Sequence, residues 1–274
     1  MVFWVKEDMT ALPILPHGTT AKPLQSGPLQ RPSDGPTTHK LFDLWEEAQK
    51  RLWKPKFWWQ NLMLRKGFDL TFIKPHEFRL LVPAHQLTDC DNCTEVCCTG
   101  PNSRVSLGLL DQARLIDAGL SHAIQQGPHG VNDSANKLWA QSASEESLFF
   151  RGFPVLKRDA TQTCALLNEN LSCGAFPHWP MSCERYPFAV NLENKTVFWA
   201  EGCASLHEVH EPEALLRGRQ LFHAAIETYN QRIRDVILLY VAMPELADMG
   251  LLRHLSLHGT LERRRKKLLA AKTH

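Results

Sequence analysis

The chain has 274 residues, a length that corresponds to one or two domains at roughly 100–200 residues each. Hydrophobic residues make up 43% and charged residues 22%, as in ordinary soluble globular proteins, which excludes wholesale disorder. The formal net charge of +2, from 31 basic and 29 acidic residues, is too balanced for nucleic-acid binding by the chain as a whole.

The first residues show no basic stretch followed by an apolar run, so a secretory signal is not expected. The longest apolar run late in the chain, 236–243, is far shorter than the roughly 20 residues of a membrane-spanning helix. We therefore expect a cytoplasmic protein with no transmembrane segment. Its thiols should stay reduced, and clustered cysteines in that compartment indicate metal ligation more than disulfides.

The N-terminal third begins with a Pro-, Gly- and Ser-rich stretch over 1–38 that predicts a disordered or extended arm. From Leu41 the apolar residues recur at helical spacing, and Pro55 ends that helix. An aromatic patch follows at 57–59, and its aromatic side chains suit either a core or a partner-binding surface. Residues 76–84 then predict a short strand that ends at Pro83.

The middle of the chain predicts short elements. Residues 105–120 have the pattern of a strand tip and a helix, with Ser106 as N-cap and Gly119 as the C-terminal stop. A weak helix is expected from about Ser134, and two short strands over 153–169. The runs 188–192 and 196–200 flank a polar turn and predict a hairpin.

The longest predicted helix opens at Pro212 and runs to about Ala242, where Pro244 ends it. We expect an α+β fold that is mainly helical, with an irregular cysteine-rich metal core and short strands clamped by helices. The expected segments are an arm (1–38), a helical and aromatic segment (39–84), a cysteine-rich domain (85–205), and a long helix with a basic tail (206–274).

All eight cysteines fall into two blocks, which random scatter would rarely produce. The first block has the spacing C-x2-C-x3-C-C, and the second has C-x8-C-x9-C with one further cysteine downstream. The predicted metal ligands are Cys90, Cys93, Cys97, Cys98, Cys164, Cys173, Cys183 and Cys203.

A C-x2-C turn places two sulfurs on one ion, whereas adjacent cysteines such as Cys97 and Cys98 point apart along the chain. Two arrangements follow. One is a polynuclear or paired site that shares all eight thiolates; the other is a single four-cysteine site with the remaining cysteines structural or redox-active. Zinc and an iron–sulfur cluster both accept cysteine-only ligation, and the spacing does not choose between them.

The two blocks together resemble the YkgJ-type CxxCxxxCC family of zinc- or iron-chelating proteins, whose cysteine block is similar to that of flagellin lysine-N-methylases. The similarity covers roughly 85–205 and rests on the cysteines with their flanking residues, including 105–111 and the segment 183–188. Trp179-Pro180 stands where the family usually has Arg-Pro. The resemblance implies a zinc- or iron-binding protein and, through the methylases, an enzyme that acts on a partner protein.

Other residues suggest supporting roles. His178, His207 and His210 are candidates for a fourth zinc ligand, although a surface or packing role is the commoner one for such residues. Arg185 and Lys157 are candidates to offset the negative charge of several thiolates.

Three functions follow from the sequence. The first is a metal-binding protein, and the second is an enzyme whose metal centre supports chemistry on a partner protein. The third is a complex subunit that docks through the Trp-rich segment 53–59 and the basic tail. That tail, with five consecutive cations at 263–267, favours a solvated helix face over a site for nucleic acid or an anionic membrane surface.

Overall fold

The structure is a computed structural model that describes residues 31–52, 54, 71–81, 86–88, 97–99, 105–127, 153–199, 206–208, 212–257 and 259–271. Of the described residues, 48% are helical and 12% lie in strands. The fold is therefore α+β and mainly helical with short strands, as the sequence predicts. No helix within the described ranges combines the length and the apolar character needed to cross a membrane.

The described helices are α1 (Pro36–Leu52), α2 (Leu109–Asp117), α3 (Met181–Glu184), α4 (Pro212–Val241), α5 (Met243–Asp248) and α6 (Gly259–Ala270), with short 3-10 turns at Pro75–Glu77 and Ser121–Ala123. The strands are β1 (Arg79–Leu81), β2 (Gln86–Thr88), β3 (Ile124–Gln125), β4 (Val155–Leu156), β5 (Phe188–Asn191), β6 (Thr196–Trp199) and β7 (Leu206–Glu208).

The described residues belong to two compact units. Those of the first lie within Ile73–Cys97 and Glu184–Tyr229, and those of the second within Pro28–Phe72, Cys98–Cys183 and Asn230–His274. The division passes between Cys97 and Cys98. The segment boundaries predicted after residues 38, 84 and 205 stay a prediction.

The first unit is built on a three-stranded sheet in the order β1-β6-β5. The predicted hairpin is confirmed: β5 and β6 are antiparallel, with Phe188 opposite Trp199, and β1 pairs with β6 in parallel. The buried side chains of Phe188, Val197 and Ile226 meet in one core, so residues 221–229 of α4 pack on this sheet. A second, two-stranded sheet pairs β2 with β7.

The second unit contains α1, whose predicted apolar stripe is confirmed, since Leu41, Leu44, Trp45 and Ala48 are all buried. The helix begins at Pro36, inside the last residues of the segment predicted as an arm. Proline suits that position, because an N–H in the first turn has no intrahelical acceptor.

Asp117, at the end of α2, accepts hydrogen bonds from the backbone N–H groups of Thr37 (2.9 Å) and Thr38 (2.8 Å) and so caps α1. Burial works against ionisation of this carboxyl, but the hydrogen bonds from Thr37 and Thr38 prevail and lower the pKa of Asp117. The cap joins α1 to α2 in the folded state.

One helix end differs from the sequence prediction. The N-cap of α2 is Gly108 rather than Ser106, because Ser106 pairs with Val155 in an isolated β-bridge and stays extended. The predicted end of the long helix is confirmed, since α4 ends at Val241; Pro244 lies in the first turn of the next helix, α5. Gly119 does follow α2 with a φ of +73°, as expected of a C-terminal stop.

Candidate metal centre

Five of the eight predicted ligands lie in the described part of the chain: Cys97, Cys98, Cys164, Cys173 and Cys183, none of which is joined in a disulfide. Cys90, Cys93 and Cys203 lie outside the described residues, as do the predicted helix from Ser134 and nearly all of the Trp-rich segment 53–59.

Cys98 of the first block contacts the second block within the second unit. The backbone N–H of Cys164 donates to the backbone carbonyl of Cys98 over 2.9 Å, although 65 residues separate them in the sequence. The Cys164 side chain is only 7% exposed and belongs to a buried apolar cluster, against which Cys98 and Cys173 also pack. We call this cluster the cysteine core; its buried members are Leu107, Leu115, Ala123, Ile124, Leu156, Cys164, Leu166 and Ala175.

Cys164 and Cys173 occupy equivalent places in two successive hairpin turns of nine residues each, 157–165 and 166–174. Each cysteine forms an antiparallel bridge across its turn, Cys164 with Arg158 and Cys173 with Leu167. The backbone carbonyl of each cysteine then accepts a hydrogen bond from the N–H three residues later. The two cysteines therefore occupy the same position in two consecutive hairpin turns.

The tips of the two hairpins also match. The first residue of each tip, Asp159 or Asn168, donates its N–H to the carbonyl four residues later. The fourth residue of each tip has a left-handed backbone, with φ of +65° at Gln162 and +63° at Leu171. Leu171 is 63% exposed, so no packing on its side chain offsets this conformation.

This repeat of two hairpin turns was not predicted from the sequence. The available signal was the C-x8-C spacing combined with an acid or amide five residues before each cysteine and a hydroxyl residue directly before it, in 159–164 and 168–173. Asp159 accepts hydrogen bonds from Thr161 and Thr163, and these bonds lower the pKa of its carboxyl.

Cys183 lies in α3, a single helical turn held on the second unit by polar contacts. The backbone N–H of Met181 donates to Asp111 of α2 over 2.8 Å, and Ser182 Oγ donates to the carbonyl of Ser106 over 3.2 Å. Because Leu107 is part of the cysteine core, these contacts fix α3 beside the chain segment that carries the core.

A buried polar frame surrounds the start of α2. Asp111 accepts from the N–H of Gly108 over 2.8 Å, and Asp235 of α4 accepts from the N–H of Leu109 over 3.0 Å. Asp235 also accepts from Gln231 Nε2 over 2.8 Å. Complete burial raises the pKa of Asp235 to about 7, against the lowering effect of Arg232 and of these hydrogen bonds.

One turn after Asp111, α2 carries a buried ion pair. Arg114 Nε donates to Asp34 Oδ1 over 2.7 Å, Nη2 donates to Oδ2 over 3.2 Å, and both side chains are fully inaccessible. Arg31, three residues before Asp34, donates to the backbone carbonyls of Pro177 (3.3 Å) and Trp179 (3.0 Å). Residues 31–34 thus hold both α2 and the loop between Cys173 and Cys183.

The residues predicted to support the centre differ in their placement. Lys157 is exposed, and Arg185, which precedes the β5–β6 hairpin, donates to the carbonyl of Phe188 at the start of β5. His178 Nδ1 is buried and has no hydrogen-bond partner within the described ranges. His207 lies in β7, where only its backbone is described, and His210 lies outside the described residues.

The basic tail forms most of α6. Arg265 is buried, donates to both carboxylate oxygens of Glu262, and also donates to the carbonyl of Leu252 over 3.1 Å. The cations on either side of it, 263–264 and 266–267, are exposed. One of the five cations therefore serves packing, and the other four form a solvated face.

Among the described residues, no three His, Cys, Asp or Glu side chains are already arranged as a set of metal ligands. The donor chemistry of the cysteine core nevertheless suits a thiophilic ion, since three of the predicted thiol ligands pack on one cluster. Comparisons with family models, with curated proteins and with solved structures find no match to this chain.

Proposed function

We propose that this chain is a metal-binding protein that holds zinc or an iron–sulfur cluster through its two cysteine blocks. The observation that carries the proposal is the hydrogen bond from Cys164 to Cys98, with Cys173 packed on the same cluster. Cysteines that are 66 and 75 residues downstream of the first block's last cysteine thereby meet it in the fold. Because the adjacent Cys97 and Cys98 point apart along the chain, a tetrathiolate site built on the first block takes a further sulfur from elsewhere in the sequence, and this convergence supports such a site.

Metal binding also gives the irregular cysteine segments a source of stability. The tips of the two hairpin turns are polar and exposed, so they contribute little buried apolar surface themselves. A bound ion adds binding free energy that is realised only in the folded state, because the ligands converge only there. We therefore expect the metal-free protein to be markedly less stable than the loaded one.

The likeness of the cysteine spacing to the YkgJ-type family supports the same function and belongs to the proposal. For zinc, His178 is the nitrogen ligand that we nominate. A buried imidazole nitrogen without a hydrogen-bond partner costs about 1–3 kcal/mol, and a metal bond would remove that cost. For an iron–sulfur cluster, thiolates alone suffice.

The test is elemental analysis of protein purified without oxygen, for the wild type and for Cys98→Ser and Cys164→Ser. We expect zinc or iron in the wild type, a brown colour with absorbance at ~400 nm if the metal is in an iron–sulfur cluster, and a loss of most metal in both variants. A metal-free wild type, or full metal content in both variants, would overturn the proposal.

Cys97→Ser is the matched control that separates the two ligand arrangements. Cys97 is exposed, whereas its neighbour Cys98 packs on the cysteine core. We infer a centre that uses Cys98 and not Cys97, so Cys97→Ser should keep its metal. Equal losses in Cys97→Ser and Cys98→Ser would instead support the site that shares all eight thiolates.

A further inference from the structure

Arg232 of α4 connects the cysteine core to the helix that carries Cys183. Its Nη2 donates to the carbonyl of Ser106 over 2.9 Å and to Ser182 Oγ over 3.3 Å. Ser182 directly precedes Cys183, and Ser106 directly precedes Leu107 of the cysteine core. One guanidinium thus bridges the helix that carries Cys183 and the stretch of chain that contributes Leu107 to the cysteine core.

The guanidinium is held firmly but keeps an unused donor. Its central carbon lies 5.4 Å from the centroid of the Phe153 ring, in the range of a cation–π contact. Its Nη1 is buried, and no acceptor within the described ranges takes a hydrogen bond from it. A buried donor of this kind is costly unless nearby negative charge stabilises it.

Two carboxyl groups belong to the same buried group of charges as Arg232. Asp235 interacts with the guanidinium electrostatically. Asp111, which also acts on Asp235, accepts the N–H groups of Gly108 and Met181. Arg232 is therefore the cation that accompanies these carboxyl groups at the start of α2, next to α3.

We propose that Arg232 is a positioning residue of the cysteine centre: it fixes α3, which carries Cys183, to the segment that leads into the cysteine core, and it places a cation beside that helix for the thiolates of the centre. The proposal rests on the proposed metal-binding function. A tetrathiolate around a dication carries net negative charge, and groups outside the ligand set that fix ligands or offset charge typically change metal affinity 10–100-fold. Arg232 takes this role in place of Arg185 and Lys157, which the sequence suggested.

The experiment compares Arg232→Gln, which removes the charge, with Arg232→Lys, which keeps it. Arg264→Gln is the control, because Arg264 is exposed and donates only a long hydrogen bond, 3.3 Å, to the carbonyl of Tyr240. Each protein is loaded with its native metal and titrated with a chelator, and the chelator concentration that removes half the metal is measured. Far-UV circular dichroism of each loaded protein checks the fold.

We expect Arg232→Gln to release half its metal at a chelator concentration about 10-fold or more below that of the wild type. Arg232→Lys should recover most of this loss, and Arg264→Gln should match the wild type. A value for Arg232→Gln within about twofold of the wild type, or no rescue by lysine, would overturn the role of Arg232. A wild type without metal would instead overturn the proposed function.

Ser182→Ala serves as the second variant should Arg232→Gln not fold. It removes the hydroxyl that Arg232 contacts, keeps the charge, and leaves Cys183 in place. We expect a smaller decrease, of about two- to fivefold, in the chelator concentration that removes half the metal. No decrease would show that the contact does not position Cys183.

Discussion

The protonation of Asp235, in the buried polar frame at the start of α2, should make the stability of the fold depend on pH. Its carboxyl is completely buried, and its pKa rises from an ordinary value of 3.8 to about 7. The native state therefore keeps a proton that the unfolded chain has already lost between these two values. Wild-type stability should fall as pH rises through this window and level off above about pH 7.

The size of the effect follows from the difference between the two pKa values. At about 1.4 kcal/mol per pH unit, raising the pKa from 3.8 to about 7 corresponds to about 4 kcal/mol of lost free energy of unfolding at alkaline pH. About 3 kcal/mol of that loss falls between pH 5 and pH 8. The side chain of Asp235→Asn cannot ionise, so the variant's free energy of unfolding should not show this loss as the pH rises.

The assay is urea unfolding of the wild type and Asp235→Asn at about pH 5 and about pH 8. The substitution also disturbs the contact with Gln231, which adds a cost that does not depend on pH. The readout is therefore the difference in free energy of unfolding between the variant and the wild type, compared at the two pH values. We expect this difference to shift by about 3 kcal/mol in favour of the variant at the higher pH.

Asp43→Asn, which removes an exposed carboxyl on α1, is the control for the general effect of removing a charge. If the free energies of unfolding of Asp235→Asn and the wild type differ by the same amount at both pH values, Asp235 is ionised at both, and burial does not raise its pKa as argued.

Three further predictions concern the second unit and are measured by denaturant unfolding. Asp34→Ala leaves the buried guanidinium of Arg114 without its carboxylate and should cost about 3–5 kcal/mol; a loss below about 1 kcal/mol would contradict the burial of the pair. Gly108→Ala places a methyl group 2.4 Å from Asp235 Oδ2 and should lower the free energy of unfolding by about 1–3 kcal/mol. An unchanged denaturant midpoint would mean that the residues around Asp235 accommodate the methyl group without strain. Leu171→Gly relieves a left-handed backbone at an exposed side chain and should stabilise the protein by up to about 1 kcal/mol; a clear loss would show that the leucine makes contacts of its own.

The sequence predicted the regular elements well where periodicity is strong. The apolar stripe of α1, the β5–β6 hairpin and the extent of α4 all follow from spacing and turn residues. It misassigned the cap of α2, since a serine suited to capping is drawn into a β-bridge by its tertiary partner Val155. Tertiary contacts of this kind are invisible to local patterns.

For the candidate centre, too, local sequence patterns predict some features and miss those that depend on long-range contacts. Cysteine spacing alone indicated the candidate ligands, but not which member of the adjacent pair Cys97 and Cys98 packs on the apolar cluster. The role of Arg232 depends on its contacts with Ser106 and Ser182, which are 126 and 50 residues away in the sequence. No local pattern reports such long-range contacts.

The most direct measurement is X-ray absorption at the edge of whichever metal copurifies with the chain, for the wild type and for Cys164→Ser. Sulfur neighbours at about 2.3 Å in the wild type, with one sulfur fewer or no metal in the variant, are the predicted result. A metal surrounded only by oxygen and nitrogen, or a sulfur shell unchanged by the loss of Cys164, would contradict the claim that the two cysteine blocks share one inorganic centre.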